Sequence, residues 1–151
     1  MQRHGFRQFV KFCIVGASST FIDLLIFGVC MEVFHLPQRL GSSALGYVVA
    51  KCISSAFSIT NGFIWNSRWT FADRKGGSTG ERYGKFVLTN VIGMALSLGI
   101  LLVVAHNLPP DVGRHLPVHL HNPAGLIGNL VAICVVVFWN FTASRLWTFK
   151  H

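Results

Sequence analysis

Two ionisable side chains stand inside long apolar segments. Asp23 lies near the middle of the first such segment and Lys51 well inside the second, although a charge at a bilayer centre costs on the order of 3 kcal/mol even on insertion scales. Each is 14 residues from Pro37. In a helical hairpin with its apex near Pro37 the two share one depth, about 20 Å along either helix, and an ion pair is the simplest resolution. Such a pair either fastens the hairpin without touching a ligand, as buried pairs that specify packing do, or belongs to a polar site facing the bundle axis.

A second set of residues suits anions. Lys11, Arg68, Lys85 and Arg145 sit at the ends of apolar segments beside aromatic residues and the amides Asn66 and Asn140. Guanidinium binds phosphate oxygens bidentately and loses less hydration than ammonium, so this rim suits a phosphate, lipid phosphates included. The plainer reading is a topology signal, which needs basic residues but does not need them beside Trp and Asn at matching places. Trp65, Trp69, Trp139 and Trp147 fall at the same ends of the second and fourth segments. Amphipathic rings gather at headgroup level, so they mark depth.

The elements that must position these groups follow from composition and pattern. Hydrophobic residues make up 52% of the 151 and charged residues 12%, whereas a soluble domain carries roughly a quarter charged. The chain therefore belongs in a bilayer. Its net charge of +8 is spread over segment ends rather than gathered on one face, which argues against nucleic acid. Four segments reach the roughly 20 residues a helix needs to cross: 9–34, 43–66, 83–107 and 124–147. The expected fold is an all-α membrane protein with four transmembrane helices in two hairpins, a single domain over 1–151.

The two hairpins read as tandem repeats. Phe9, Val10, Lys11, Phe12 open the first copy and Asn66 to Phe71 close it; Tyr83, Gly84, Lys85, Phe86 open the second and Ser144 to Phe149 close it. This gives repeat one at 7–71, a charged, glycine-rich linker at 72–80 and repeat two at 81–149. Each copy crosses an even number of times, so both lie the same way up. Offsets of 74 residues at the start and 78 at the close place Ser97 opposite Asp23 and Asn129 opposite Lys51. The expected intramembrane polar path is thus Asp23, Lys51, Ser97 and Asn129, though Ser97 and Asn129 also suit interhelical packing.

Of the 13 Lys and Arg residues, all but Arg39, Arg114 and the intramembrane Lys51 fall on the side of the N-terminus. Both termini are therefore expected in the cytoplasm, and any homo-oligomer is expected to be parallel. Cys13, Cys30, Cys52 and Cys134 lie in apolar segments without metal-ligand spacing, which points to neither disulfides nor zinc. His115, His119 and His121 lie in the outer loop 108–123 and read as solvated. No nucleophile elbow, paired catalytic carboxylates or Gly-rich phosphate loop is present, so neither an enzyme nor a cofactor is expected.

The run Phe9 to Phe12, then Val15, Gly16, Thr20 and Asp23, with Asn66 through Phe71 and Ser144 through Phe149, resembles the GtrA-like family of small bacterial membrane proteins. The resemblance covers about Arg7 to Phe149. It implies a flippase of the bacterial inner membrane that moves a polyprenyl-phosphate-linked sugar, made by a membrane glycosyltransferase, to the outer face for O-antigen, teichoic acid or other envelope polymers. The matching positions are Lys11, Asp23, Asn66, Arg68, Trp69, Arg145 and Trp147. Ser67 and Leu146 stand where another basic residue is expected, which thins the rim. A scaffold recruiting the glycosyltransferase without transport, and a proton- or cation-coupled exporter resting on Asp23 alone, are the rival readings.

Overall fold

A computed structural model describes residues 2–74, 76–107 and 123–150. The three histidines expected in the outer loop lie outside the described residues. Helix α1, Gln2–Gly28, runs on into a π-helical turn, Val29–Val33. A short α2, Leu36–Arg39, leads to α3, Ser43–Trp65, which continues as a second π-helical turn, Asn66–Thr70. Helix α4 spans Thr79–Asn107, and α5, Pro123–Ala143, ends in a third π-helical turn, Ser144–Thr148. Every element among the described residues is helical.

Four stretches are long and apolar enough to cross a membrane: Gly5–Val33, Ser43–Thr70, Thr79–Val104 and Gly128–Thr148. Hydrocarbon offers no partner to a backbone N–H or C=O, so a spanning segment must satisfy its own, and a helix does. Large apolar side chains such as Phe21, Leu102 and Phe138 point outward, while small or polar Ala50, Ser54, Thr89 and Ser144 are buried. Such an outward apolar surface suits lipid as the solvent, and the buried positions mix these small and polar groups with aromatic rings such as Phe63 and Phe86. Helices then associate through close packing and interhelical hydrogen bonds rather than through water exclusion.

The chain forms two compact units, one running to Tyr83 and taking in Phe149 and Lys150, the other Gly84–Thr148. In the first, α1 packs against α3. Pro37 sits in the first turn of α2, where its missing N–H costs nothing. Gly41 adopts φ 65, a left-handed conformation that favours glycine, and Ser42 then caps α3 by accepting from the Leu45 N–H at 3.4 Å. At the opposite end Phe71 and Phe149 are fully buried and stacked, centroids 4.9 Å apart and planes 19° from parallel. Phe63 stacks on Phe149 at 5.9 Å and meets Tyr83 edge-on at 5.1 Å, and Tyr83 and Thr60 share a hydroxyl hydrogen bond of 2.9 Å. After Phe71 the chain turns, Gly77 takes φ 76, and Ser78 caps α4 by accepting from the Glu81 N–H at 3.2 Å.

In the second unit α4 meets α5 closely where Gly93 and Gly128 lie. A Cβ at Gly93 would fall 2.9 Å from Asn140 Oδ1 and 3.2 Å from Val136 Cγ1, and one at Gly128 would fall 3.1 Å from Val104 Cγ1. These glycines let the helices approach. Gly93→Val is accordingly expected to cost about 1–3 kcal/mol by overpacking, measured as a lowered unfolding midpoint in detergent. Gly16→Ala, with nothing within 4 Å of the added carbon, is expected to leave that midpoint unchanged or slightly raised.

Candidate functional site: a polar ladder and a basic recess

Lys51, Ser54, Ser58 and Asn61 follow one another on α3 at spacings of three and four, with Ser55 next to Ser54 and four from Lys51, which gathers them toward a single face of a helix. That face meets Ser19 and Asp23 of α1. Lys51 Nζ donates to Asp23 Oδ2 at 2.5 Å, and the other carboxylate oxygen accepts from Ser54 Oγ at 2.8 Å and Ser55 Oγ at 3.5 Å. One or two turns on, Ser58 Oγ donates to the Ser19 carbonyl at 2.9 Å and Asn61 Nδ2 to Ser19 Oγ at 3.1 Å. The result is a ladder of polar contacts inside the first hairpin, about 15 Å long from Lys51 to Asn61.

The two members of the ion pair are not equally enclosed. The Asp23 side chain is 16% exposed and that of Lys51 48%, so the carboxylate is held inside the hairpin while the ammonium lies at its edge. The Phe27 ring, 6.0 Å from Nζ, gives the ammonium a second attractive surface of the cation–π kind. Inside a span of this length and apolarity the pair lies away from bulk water, which would otherwise screen its charges. The pair must therefore neutralise itself.

At the end of the hairpin nearer the N-terminus, Arg7, Gln8, Lys11, Trp69, Thr70, Ala72 and Asp73 line a recess of about 390 Å³. Lys11 Nζ lies 5.3 Å from the Trp69 ring and donates to the Trp69 carbonyl at 3.4 Å. Gln8 Nε2 donates to Asp73 Oδ1 at 3.3 Å. Gln8 Oε1 and Thr70 Oγ1 are buried and have no hydrogen-bond partner. The π-helical turn Asn66–Thr70 brings Trp69 and Thr70 to this wall, and such widened turns recur at functional positions.

The second unit holds a related local arrangement. Lys85 Nζ lies 5.9 Å from the Trp147 ring, and the π-helical turn Ser144–Thr148 buries Ser144 Oγ and Thr148 Oγ1 without partners. Trp139 Nε1 donates to the Thr89 carbonyl at 3.2 Å, and Asn140 Oδ1 is buried without a partner.

Of the residues expected to bind phosphate, Lys11 lines the recess with Trp69. Arg68 is exposed on its π-helical turn and is not among the lining residues, Arg145 is half-buried, and Asn66 is buried. Of the polar path, Asp23 and Lys51 meet; Ser97 is half-buried on α4 and Asn129 exposed on α5. Trp65, Trp69, Trp139 and Trp147 all keep a third or more of their surface exposed, as interfacial rings do. Sequence reasoning missed Ser54, Ser58, Asn61, Gln8 and Thr70. The first three had a visible signal in their helical spacing and Thr70 recurs as Thr148 in the two closing motifs; Gln8 had no signal.

Four helices able to span a bilayer define a multi-pass membrane protein, with a polar seam inside its first hairpin and a basic, aromatic recess toward one end. The model of the GtrA/DPMS transmembrane domain matches residues 11–149, and the chain belongs to that family. It is 27% identical over 139 residues to the uncharacterized membrane protein YngA of Bacillus subtilis, spanning 92% of this chain and 77% of the relative. It is 34% identical over 94 residues to the bactoprenol-linked glucose translocase of Shigella phage SfII, 59% of this chain and 68% of that one. A prophage bactoprenol-linked glucose translocase homolog of Escherichia coli is 35% identical over 81 residues, 54% of this chain and 58% of the homolog.

Proposed function

We propose that this protein is a flippase that moves a polyprenyl-phosphate-linked monosaccharide from the cytoplasmic to the outer face of a bacterial inner membrane, for glycosylation of cell-envelope polysaccharide. The observation that carries the reading is the recess of Arg7, Lys11 and Trp69 in a chain with relatives among which one is named a bactoprenol-linked glucose translocase and another a homolog of it. Both termini are assigned to the cytoplasm by the Lys and Arg bias, which puts the recess at the face where a membrane glycosyltransferase makes the lipid-linked sugar. Lys11 and Arg68 in the first unit, and separately Lys85 and Arg145 in the second, draw in phosphate. The sugar then exchanges hydrogen bonds along the ladder while the polyprenyl tail stays in lipid. Each polar group left unsatisfied in hydrocarbon costs several kcal/mol, so hydroxyl and amide groups at successive depths lower the barrier to crossing. No catalytic step is required. Any homo-oligomer that forms the path between chains is parallel.

A second reading, a scaffold that holds the glycosyltransferase near its lipid substrate, is favoured by one feature: Asp23 and Lys51 already satisfy each other. The test is reconstitution in liposomes with a polyprenyl-phosphate sugar, reading the sugar's access to an impermeant reagent. Protein-dependent exposure of the inner pool is expected, and Lys11→Gln is expected to slow it about tenfold, the worth of one charge-assisted hydrogen bond. No exposure above empty liposomes, with lipid binding intact, selects the scaffold.

A further inference from the structure

We infer that the recess of the first unit receives the sugar as well as the phosphate of a glycosyl phosphodiester, and so reads the headgroup rather than merely attracting its charge. The inference rests on the transport reading for its choice of a lipid-linked sugar. Arg7 and Lys11 supply the cationic side of the recess. The other walls carry acceptors, which a phosphate does not need. The Gln8 amide gives its N–H to Asp73, and this fixes the amide with Oε1 turned away from that bond. Oε1 is buried and unpartnered, as is Thr70 Oγ1, and the two residues are 3% and 2% exposed.

A buried acceptor without a donor is costly, on the order of 1–3 kcal/mol, and its natural complement is a ligand rich in O–H groups. A sugar has such groups on its ring edge and C–H groups on its face. Gln8 Oε1, the Asp73 carboxylate and Thr70 Oγ1 can accept from the hydroxyls, and Trp69, 40% exposed, offers apolar ring surface to the C–H face. A simple anion would instead meet the Asp73 carboxylate at close quarters. The recess volume of about 390 Å³ is larger than a phosphate alone fills and falls in the roughly 300–1,000 Å³ range of small-molecule clefts. The 74-residue offset puts Glu81 where the first copy has Arg7, so the cation pair Arg7 and Lys11 is not duplicated.

The test is equilibrium binding to the purified protein in detergent micelles with two probes sharing one short prenyl tail: a prenyl phosphoglucose and the corresponding prenyl methyl phosphodiester. Arg7→Gln is expected to weaken both about tenfold, and Lys11→Gln to weaken both more than Lys85→Gln does. Thr70→Val and Gln8→Met are expected to weaken only the glucose probe, about fivefold, and Thr70→Ser to retain it. Two separate walls are thus probed, and each variant is compared only if it elutes as the wild type does. Equal losses on the two probes, or no loss in Thr70→Val and Gln8→Met, overturn sugar reading. Competition by phosphatidylglycerol or inorganic phosphate at the concentration of the glucose probe overturns it too, by revealing a general anion site. If the liposome assay shows no transport while this binding pattern holds, the flippase reading falls and the recess assignment stands; transport with a recess insensitive to these variants does the reverse.

Discussion

Asp23→Leu alone is expected to destabilise the first hairpin by about 3–5 kcal/mol, the usual penalty for stranding one member of a buried pair. Lys51 would be left inside the span without its carboxylate partner, with the Phe27 ring beside it, and Ser54 and Ser55 would lose their acceptor. The double substitution Asp23→Leu with Lys51→Met is expected to recover most of that loss, because no charge then remains to be neutralised. Unfolding by titrated denaturing detergent, followed by helicity, measures both. The functional consequence separates the two readings. A stable double variant that no longer exposes the lipid-linked sugar places the ion pair on the transport path, whereas one that transports normally assigns the pair to hairpin assembly alone.

Phe71→Ala and Phe149→Ala are each expected to cost about 3–5 kcal/mol, the range for emptying a buried aromatic site. The two rings are fully buried and stacked on each other, and Phe63 lies against the second of them. Because the residues share one contact, the double variant is expected to lose about 0.5–3 kcal/mol less than the sum of the singles. Strict additivity in the same denaturation assay would show that the rings act separately. The expected loss falls on the end of the first unit that also carries the recess, since Thr70 and Phe71 are consecutive. Weaker headgroup binding should therefore accompany the lowered stability in Phe71→Ala.

Much of the architecture is legible in the sequence because lipid imposes simple demands. A span needs length and apolarity, and the four apolar runs met both; the second helix runs four residues past the expected end at 66, through its π-helical turn to Thr70, and the fourth ends at Thr148, one residue past the expected 147. Asp23 and Lys51 could be paired because equal distance from Pro37 along two helices of the same rise gives equal depth. The serine ladder was legible in principle, since Lys51, Ser54, Ser55, Ser58 and Asn61 recur at helical spacing, but serine in a membrane helix also packs without a specific partner. The recess was not legible. It depends on the π-helical turn that directs Thr70 inward, and on Gln8 meeting Asp73 across 65 residues, neither of which leaves a periodic trace.

Phe149 belongs to the first unit although 78 residues separate it from Phe71, and this bears on how the molecule is made. Synthesis delivers the N-terminal hairpin first. Asp23, Lys51 and the serines can join as soon as α3 has entered the bilayer, but the ring that completes the aromatic stack arrives only after α4 and α5 have been threaded. The earliest hairpin thus waits for a residue that follows α5, and its aromatic end closes only after the helices of the second unit have been made.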